Sequence, residues 1–151
     1  MALRIAALVV VLAAVLVWAL WPAPTEEDRV RAVVRGVVAG AEAGDVGDVL
    51  MFVSDRFGGD EGLDKSSLKA LLQAQFVRRG PITVIVGDIP VTIQGNTAHA
   101  SFDALLAEGS DRWTDILPVS VDGWHFETDF VLEADDAWRV VHAERTDLTG
   151  P

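Results

Sequence analysis

The sequence predicts an α+β protein: three helices packed in the concave face of a bent antiparallel sheet. Two observations predict the domain. Apolar residues recur at helical spacing from Val30 to Phe76. After Pro81 the spacing shortens to two, with turn residues dividing the second half into strands. A third observation concerns what precedes the domain. Ile5 to Trp21 holds seventeen residues without a charge or an amide.

As a helix that first run spans roughly 26 Å, just under the ~30 Å hydrocarbon core of a bilayer, and Leu3 with a snorkelling Arg4 supplies the remaining length. It is expected to be a single transmembrane signal-anchor over residues 1–21. Arg4 lies on its amino-terminal side, and Glu26, Glu27 and Asp28 lie on the other. The positive-inside bias therefore places the amino terminus in the cytoplasm and the domain in the periplasm, outside a bacterial inner membrane. Trp18 and Trp21 fall where indole rings favour the interface. The competing reading is a signal peptide cleaved after Ala19, against which the apolar run continues through Leu20 and Trp21.

Residues 22–25 form a short stiff linker around Pro22-Ala23-Pro24, residues 26–148 the domain, and residues 149–151 a tail. Thr25 caps a first helix with an acidic first turn. Val30, Val33, Val34, Val37, Val38 and Ala41 form its apolar face, Gly36 and Gly40 weaken it, and Gly44 ends it. Asp45 caps a second helix with Val46, Val49, Leu50 and Val53 inward and Phe57 following, and Gly58 to Gly62 reads as a loop. Asp64 caps a third helix that presents Leu68, Leu71, Leu72 and Phe76 and stops at Gly80-Pro81.

A long strand is expected from Ile82, bent at Gly87-Asp88. A two-residue turn at Gly95-Asn96 pairs Ile93 with Ala98 and Val91 with Ala100. Glu108 to Gly123 is a connection with a short strand at Ile116–Val121. Trp124, Phe126, Thr128, Phe130 and Leu132 then face one way. The three-residue loop Ala134-Asp135-Asp136 puts Trp138 on the same face as Leu132, and strict alternation carries Thr128 opposite His142.

The chain carries 23 acidic against 12 basic side chains, a net charge of −11, and no cysteine. Such a surface repels nucleic acid and anionic headgroups, and a chain without thiols suits an oxidising compartment.

The stretches "AEAGDVGDVLMFVSDRF", "LDKSSLKALLQAQF", "GDIPVTIQGNTAHASF" and "DDAWRVVHAE" together resemble the nuclear transport factor 2-like superfamily, also called ketosteroid isomerase-like or cystatin-like. The similarity is to bacterial membrane-anchored members without an assigned activity. It implies a cone with a pocket between helices and sheet, and it leaves a sheet-to-sheet homodimer open. Thr128, His142 and Glu144 are then the pocket candidates, an imidazole beside a carboxylate being able to act as an acid/base pair. The chain has no Tyr, so the isomerase pattern of an acidic base with a Tyr or protonated-acid oxyanion donor is incomplete. Arg139 and Arg145 fall outward by parity, which removes the hydrolase-like pattern of an Arg between two Asp.

His99, Ser101 and Asp103 resemble a nucleophilic triad in composition only. His125, Glu127, Asp129 and Glu133 read as cross-strand charge pairs with Arg139 and Arg145. Asp55, Asp60, Glu61 and Asp64 crowd one loop without EF-hand spacing, and the histidines lack zinc spacing; no metal or cofactor is expected. Trp124 and Trp138 read as core. The expectation is a non-catalytic module for an apolar small molecule or a membrane-protein partner. The alternative is an acid/base isomerase, dehydratase or cyclase using His142 and Glu144.

Overall fold

The computed structural model describes residues 2–80, 82–108 and 120–148, the side chains of residues 2–6 and 120 excepted. Helix α1 (Ala2–Leu20) contains most of the uncharged run. Its apolar side chains from Leu8 onward are exposed. Among the described residues no helix is long and apolar enough to cross a membrane.

Helix α2 (Glu26–Ala43) begins where its capping residue predicts. The Thr25 hydroxyl accepts the Asp28 N–H at 3.2 Å, and the Asp28 carboxylate accepts the Thr25 N–H at 3.4 Å. It ends at Gly44, whose φ of 66° is the left-handed conformation that glycine adopts without penalty. Asp45 caps α3 (Val46–Met51) by accepting the Asp48 N–H. Gly40 has a further reason to be glycine: a Cβ there would lie 2.9 Å from the Val49 backbone nitrogen. The two helices therefore touch through backbone at this point.

The second helix is shorter than its apolar spacing suggests. Val53, expected inside it, opens strand β1 (Val53–Gly59). Gly58 and Gly59, expected in a loop, belong to the same strand, and the turn shrinks to the 3-10 segment Asp60–Gly62. The cause is distant in sequence. β1 lies parallel to the last strand, and the Val140 N–H donates to the Phe52 carbonyl at 2.9 Å. The sheet is therefore mixed rather than wholly antiparallel.

Helix α4 (Lys65–Arg79) is capped by Asp64, which accepts the Ser67 N–H at 2.7 Å. It packs on β1 and α3 rather than deep in the concave face. None of its residues is buried; Leu68 reaches the core in part, but Leu71 is 43% exposed.

The segment after Pro81 forms two strands rather than one bent strand: β2 (Ile82–Val86) and β3 (Val91–Gln94). Both pair with β4 (Thr97–Glu108), and the Gly87 N–H still bonds the Asp103 carbonyl between them. The turn at Gly95-Asn96 gives the expected pairs Ile93 with Ala98 and Val91 with Ala100. β5 (Ser120–Leu132) and β6 (Trp138–Asp147) complete the order β1-β6-β5-β4-β2. Residues 116–119 of the strand expected at Ile116–Val121, with Trp113 and Pro118, lie outside the described residues.

The core joins one face of α2 to the concave face of the sheet. Val30, Val33 and Val34 meet Ala98, Ala100, Phe130, Trp138 and Val140, with Val53 and Phe57 from β1. Phe130 and Val30 are fully buried, each contributing about 1.5–3 kcal/mol. Trp138 joins this core as expected and donates its indole N–H to Glu26 at 2.6 Å. That bond ties the first turn of α2 to β6.

The approach at Gly40 gives a test. Gly40→Ala gains up to ~1 kcal/mol of helix propensity but forces two backbones apart, an overpacking cost of about 1–3 kcal/mol. The variant is expected to be less stable, with a lower urea midpoint at unchanged slope.

Candidate functional site

The three pocket candidates do not share a face. Leu132 pairs with Trp138 and Phe130 with Val140, as alternation requires, but Asp129 then pairs with His142 and Thr128 with Ala143. Val141 is the extra residue of a β-bulge, and one inserted residue exchanges the two faces for everything beyond it. Thr128 stays on the concave face and is 5% exposed. His142 and Glu144 turn to the outer face. They remain together, with 3.0 Å between Nε2 and the carboxylate, and the other ring nitrogen donates to the Gly58 carbonyl.

The same bulge turns Arg145 inward, against the parity expectation. Its guanidinium lies 4.5 Å over the Trp124 ring, a cation–π contact. Phe102 and Phe126 stack beside them at 5.5 Å. Arg139 stays outward, bound to Glu133 and Asp135.

The outer face carries all three histidines of the chain, two of them, His99 and His125, joined through Glu127, with His142 beside them. His99 donates Nδ1–H to Asp129 and Nε2–H to Glu127, each at 2.7 Å. His125 donates Nδ1–H to Asp103 at 2.7 Å and Nε2–H to Glu127 at 3.0 Å. Both ring nitrogens of every histidine thus face an acceptor, an arrangement that favours the doubly protonated imidazolium.

Ser101, His125 and Asp103 have the connectivity of a nucleophilic triad, with 3.2 Å between the Ser101 hydroxyl and Nε2. It is His125 that completes the set, and His99, which resembles a triad member in composition only, lies outside it. Glu127 blocks the chemistry. It accepts both the Ser101 hydroxyl proton, at 3.1 Å, and the imidazole N–H. While Nε2 keeps its proton toward Glu127, the ring has no lone pair to take the serine proton.

His99 sits opposite Asp129, four residues along from His125, which is about 13 Å at 3.3 Å per residue. The rings reach Glu127 from opposite sides, and among the described residues no group of three donors is placed to hold an ion. In the acidic loop, Asp55 pairs with Lys65 at 2.8 Å and Asp64 serves as a helix cap.

A cleft lies elsewhere, between α2 and the β2–β3 segment, with a volume of about 410 Å³. Val34 and Val38 form one wall, and Val84, Val86 and Ile89 the other. Arg31 and Arg35 stand on its rim, one helical turn apart, facing Glu42 and Asp88. Arg31 is held in place: Nε donates to the Ile89 carbonyl at 3.0 Å, and Nη1 pairs with Asp28 at 2.9 Å. Glu42 accepts the Val84 N–H at 2.8 Å. The sequence reading missed this site. Its only local signal was an arginine pair beside the apolar stripe of α2, which reads equally well as a solvated helix flank.

No protein-family profile and no curated protein matches the sequence. Solved structures do match the fold. A nuclear transport factor 2-like superfamily protein from Salmonella enterica superposes with a TM-score of 0.67 at 13% identity, over 82% of this chain and 93% of that one. A protein of this type with a cystatin-like fold from Novosphingobium aromaticivorans gives 0.64 at 15% identity, over 82% of each chain. A Bdellovibrio bacteriovorus protein gives 0.66 at 11% identity over 81% of this chain, which spans only 40% of that longer one. At these identities the likeness shows the fold. The chain has the nuclear transport factor 2-like architecture, an α+β cone that hosts many unrelated activities.

The imidazolium array makes stability depend on pH. Asp129, then Glu127, hold the His99 proton above its ordinary range; Asp103 and Glu127 do so for His125, and Glu144 with the Gly58 carbonyl for His142, burial opposing in each case. A folded-state pKa above the unfolded value of about 6.5 gives stabilisation that is complete below that pH and lost as pH rises through the folded values. The melting temperature is therefore expected to fall from pH 6 to pH 9. The slope should flatten in a His99→Gln/His125→Gln variant, measured by circular dichroism in matched buffers.

Proposed function

We propose that this chain is a membrane-anchored, non-catalytic binding module whose ligand site is the cleft between α2 and β2–β3. The cleft carries the reading. It is a concave site of about 410 Å³ lined by valines and Ile89 together with Arg31, Arg35, Glu42 and Asp88, and concave surfaces with a few placed polar groups are where small molecules bind. The arrangement of the histidines supports a non-catalytic role. Both ring nitrogens of each imidazole face an acceptor, which favours the protonated ring over a free base, and the His142–Glu144 pair faces away from the concave side.

The anchor rests on the uncharged run Ile5–Trp21 and on the exposed apolar side chains of α1, among them Leu12 at 55% and Trp18 at 82%. Among the described residues no element of the domain covers them. A bilayer would cover them, with Arg4 on the cytoplasmic side and the acidic start of α2 outside. The linker is short, so the domain would stay close to the membrane surface.

Expressed in a Gram-negative host, the full-length chain is expected to sediment with inner membranes and to resist alkaline carbonate extraction. Leu12→Arg, which puts a charge at the centre of the run, should shift it to the extractable fraction. A wild-type chain that extracts freely would show that α1 does not anchor the domain.

A further inference from the structure

We infer that the cleft takes a singly charged organic carboxylate with an apolar body, and that Arg35 binds the carboxylate. This rests on reading the cleft as the ligand site. The cleft contains four charged groups, and two of them are already engaged. Arg31 is fixed by the Ile89 carbonyl and Asp28, and Glu42 by the Val84 N–H. Among the described residues no hydrogen bond or ion pair reaches the Arg35 guanidinium, although it stands beside the valines of α2 at the cleft rim. Asp88 does not come within ion-pair distance of it.

An arginine above an apolar wall is suited to one ligand shape. The planar guanidinium offers paired N–H donors that match the two oxygens of a carboxylate. Val34, Val38, Val84, Val86 and Ile89 then receive the hydrocarbon part. The neighbouring carboxylates set the charge. Glu42 and Asp88 share the rim, so a doubly charged phosphate would meet twice the repulsion that a monoanion meets. The net charge of −11 is no obstacle, because acids beyond about 8 Å are screened at physiological salt.

The test uses three soluble probes that share one body: 4-phenylbutyrate, 4-phenylbutan-1-ol and 4-phenylbutylamine. They are titrated into the full-length chain in zwitterionic lipid nanodiscs, with empty nanodiscs as the blank. Methyl-labelled valine spectra report the site directly. 4-Phenylbutyrate is expected to shift the Val34, Val38, Val84 and Val86 methyls. Arg35→Gln should weaken it about tenfold, the order of one charge-assisted hydrogen bond, with the remaining valine signals unchanged. The alcohol should bind about tenfold more weakly than the acid to the wild type and equally to both proteins.

If the alcohol or the amine shifts the same methyls as tightly as the acid, or Arg35→Gln keeps full affinity, the cleft is a ligand site but the carboxylate assignment is wrong. If none of the probes moves the cleft methyls, the cleft reading fails, and the carboxylate assignment fails with it.

Discussion

The domain depends on how closely helix α2 lies on the sheet. Large side chains at the contact would lift the helix, and the core would lose its seal. Small residues sit at the points of approach instead. Ala98 and Ala100 of β4 are 4% and 0% exposed beneath the core. Gly40 meets the backbone of α3, and the Phe52 ring lies over Gly36, where a Cβ would approach it to 2.3 Å. Bulk is concentrated in Phe130 and Trp138, which fill the space the small residues leave. Close packing of this kind is sensitive to single methyl groups. The two glycines that weaken α2 as an isolated helix are therefore what allow it to dock.

The tie between Glu26 and Trp138 adds direction to this packing. Arg29 also reaches across, to the Asp136 carbonyl and to its carboxylate at 3.4 Å. Together these contacts join the turn of α2 that follows the linker to the β5–β6 hairpin. The start of the domain is thereby held to the sheet. The other end is looser: α4 has no buried residue and is secured at its carboxyl end by Arg79, which pairs with Glu108 at 2.8 Å.

The bulge at Val141 divides the polar groups between the two faces. It leaves Thr128 alone among the apolar residues of the cone and moves His142 and Glu144 outward, beside the histidine array. Carboxylates that would otherwise repel one another across β4, β5 and β6 each find an imidazolium. A strongly acidic protein can therefore carry Asp103, Glu127, Asp129 and Glu144 on one sheet face without a net repulsive cluster, provided the rings keep both protons. The same bulge brings Arg145 over Trp124 on the concave side, where alternation alone would have placed Glu144 opposite Phe126.

The sequence by itself determined the elements whose causes are local. Thr25, Asp45 and Asp64 cap helices because their oxygens reach a backbone N–H three residues on, and Gly95-Asn96 turns a hairpin because its backbone geometry needs no distant partner. The face of β5 and its pairing with Trp138 followed from alternation across a short loop. The tertiary structure alone decided what depends on distant chain. Val53 to Gly59 became a strand because β6, some eighty residues later, offered an open edge. One unpaired residue at 141 overruled the parity of His142, Glu144 and Arg145, and alternation carries no signal for a bulge. The cleft joins a helix flank to a strand that lies beside it only after folding, so Arg31 and Arg35 could not be distinguished from solvated surface. Local hydrogen bonds can be read from neighbouring residues; the face a side chain occupies depends on register, and register is set by the whole sheet.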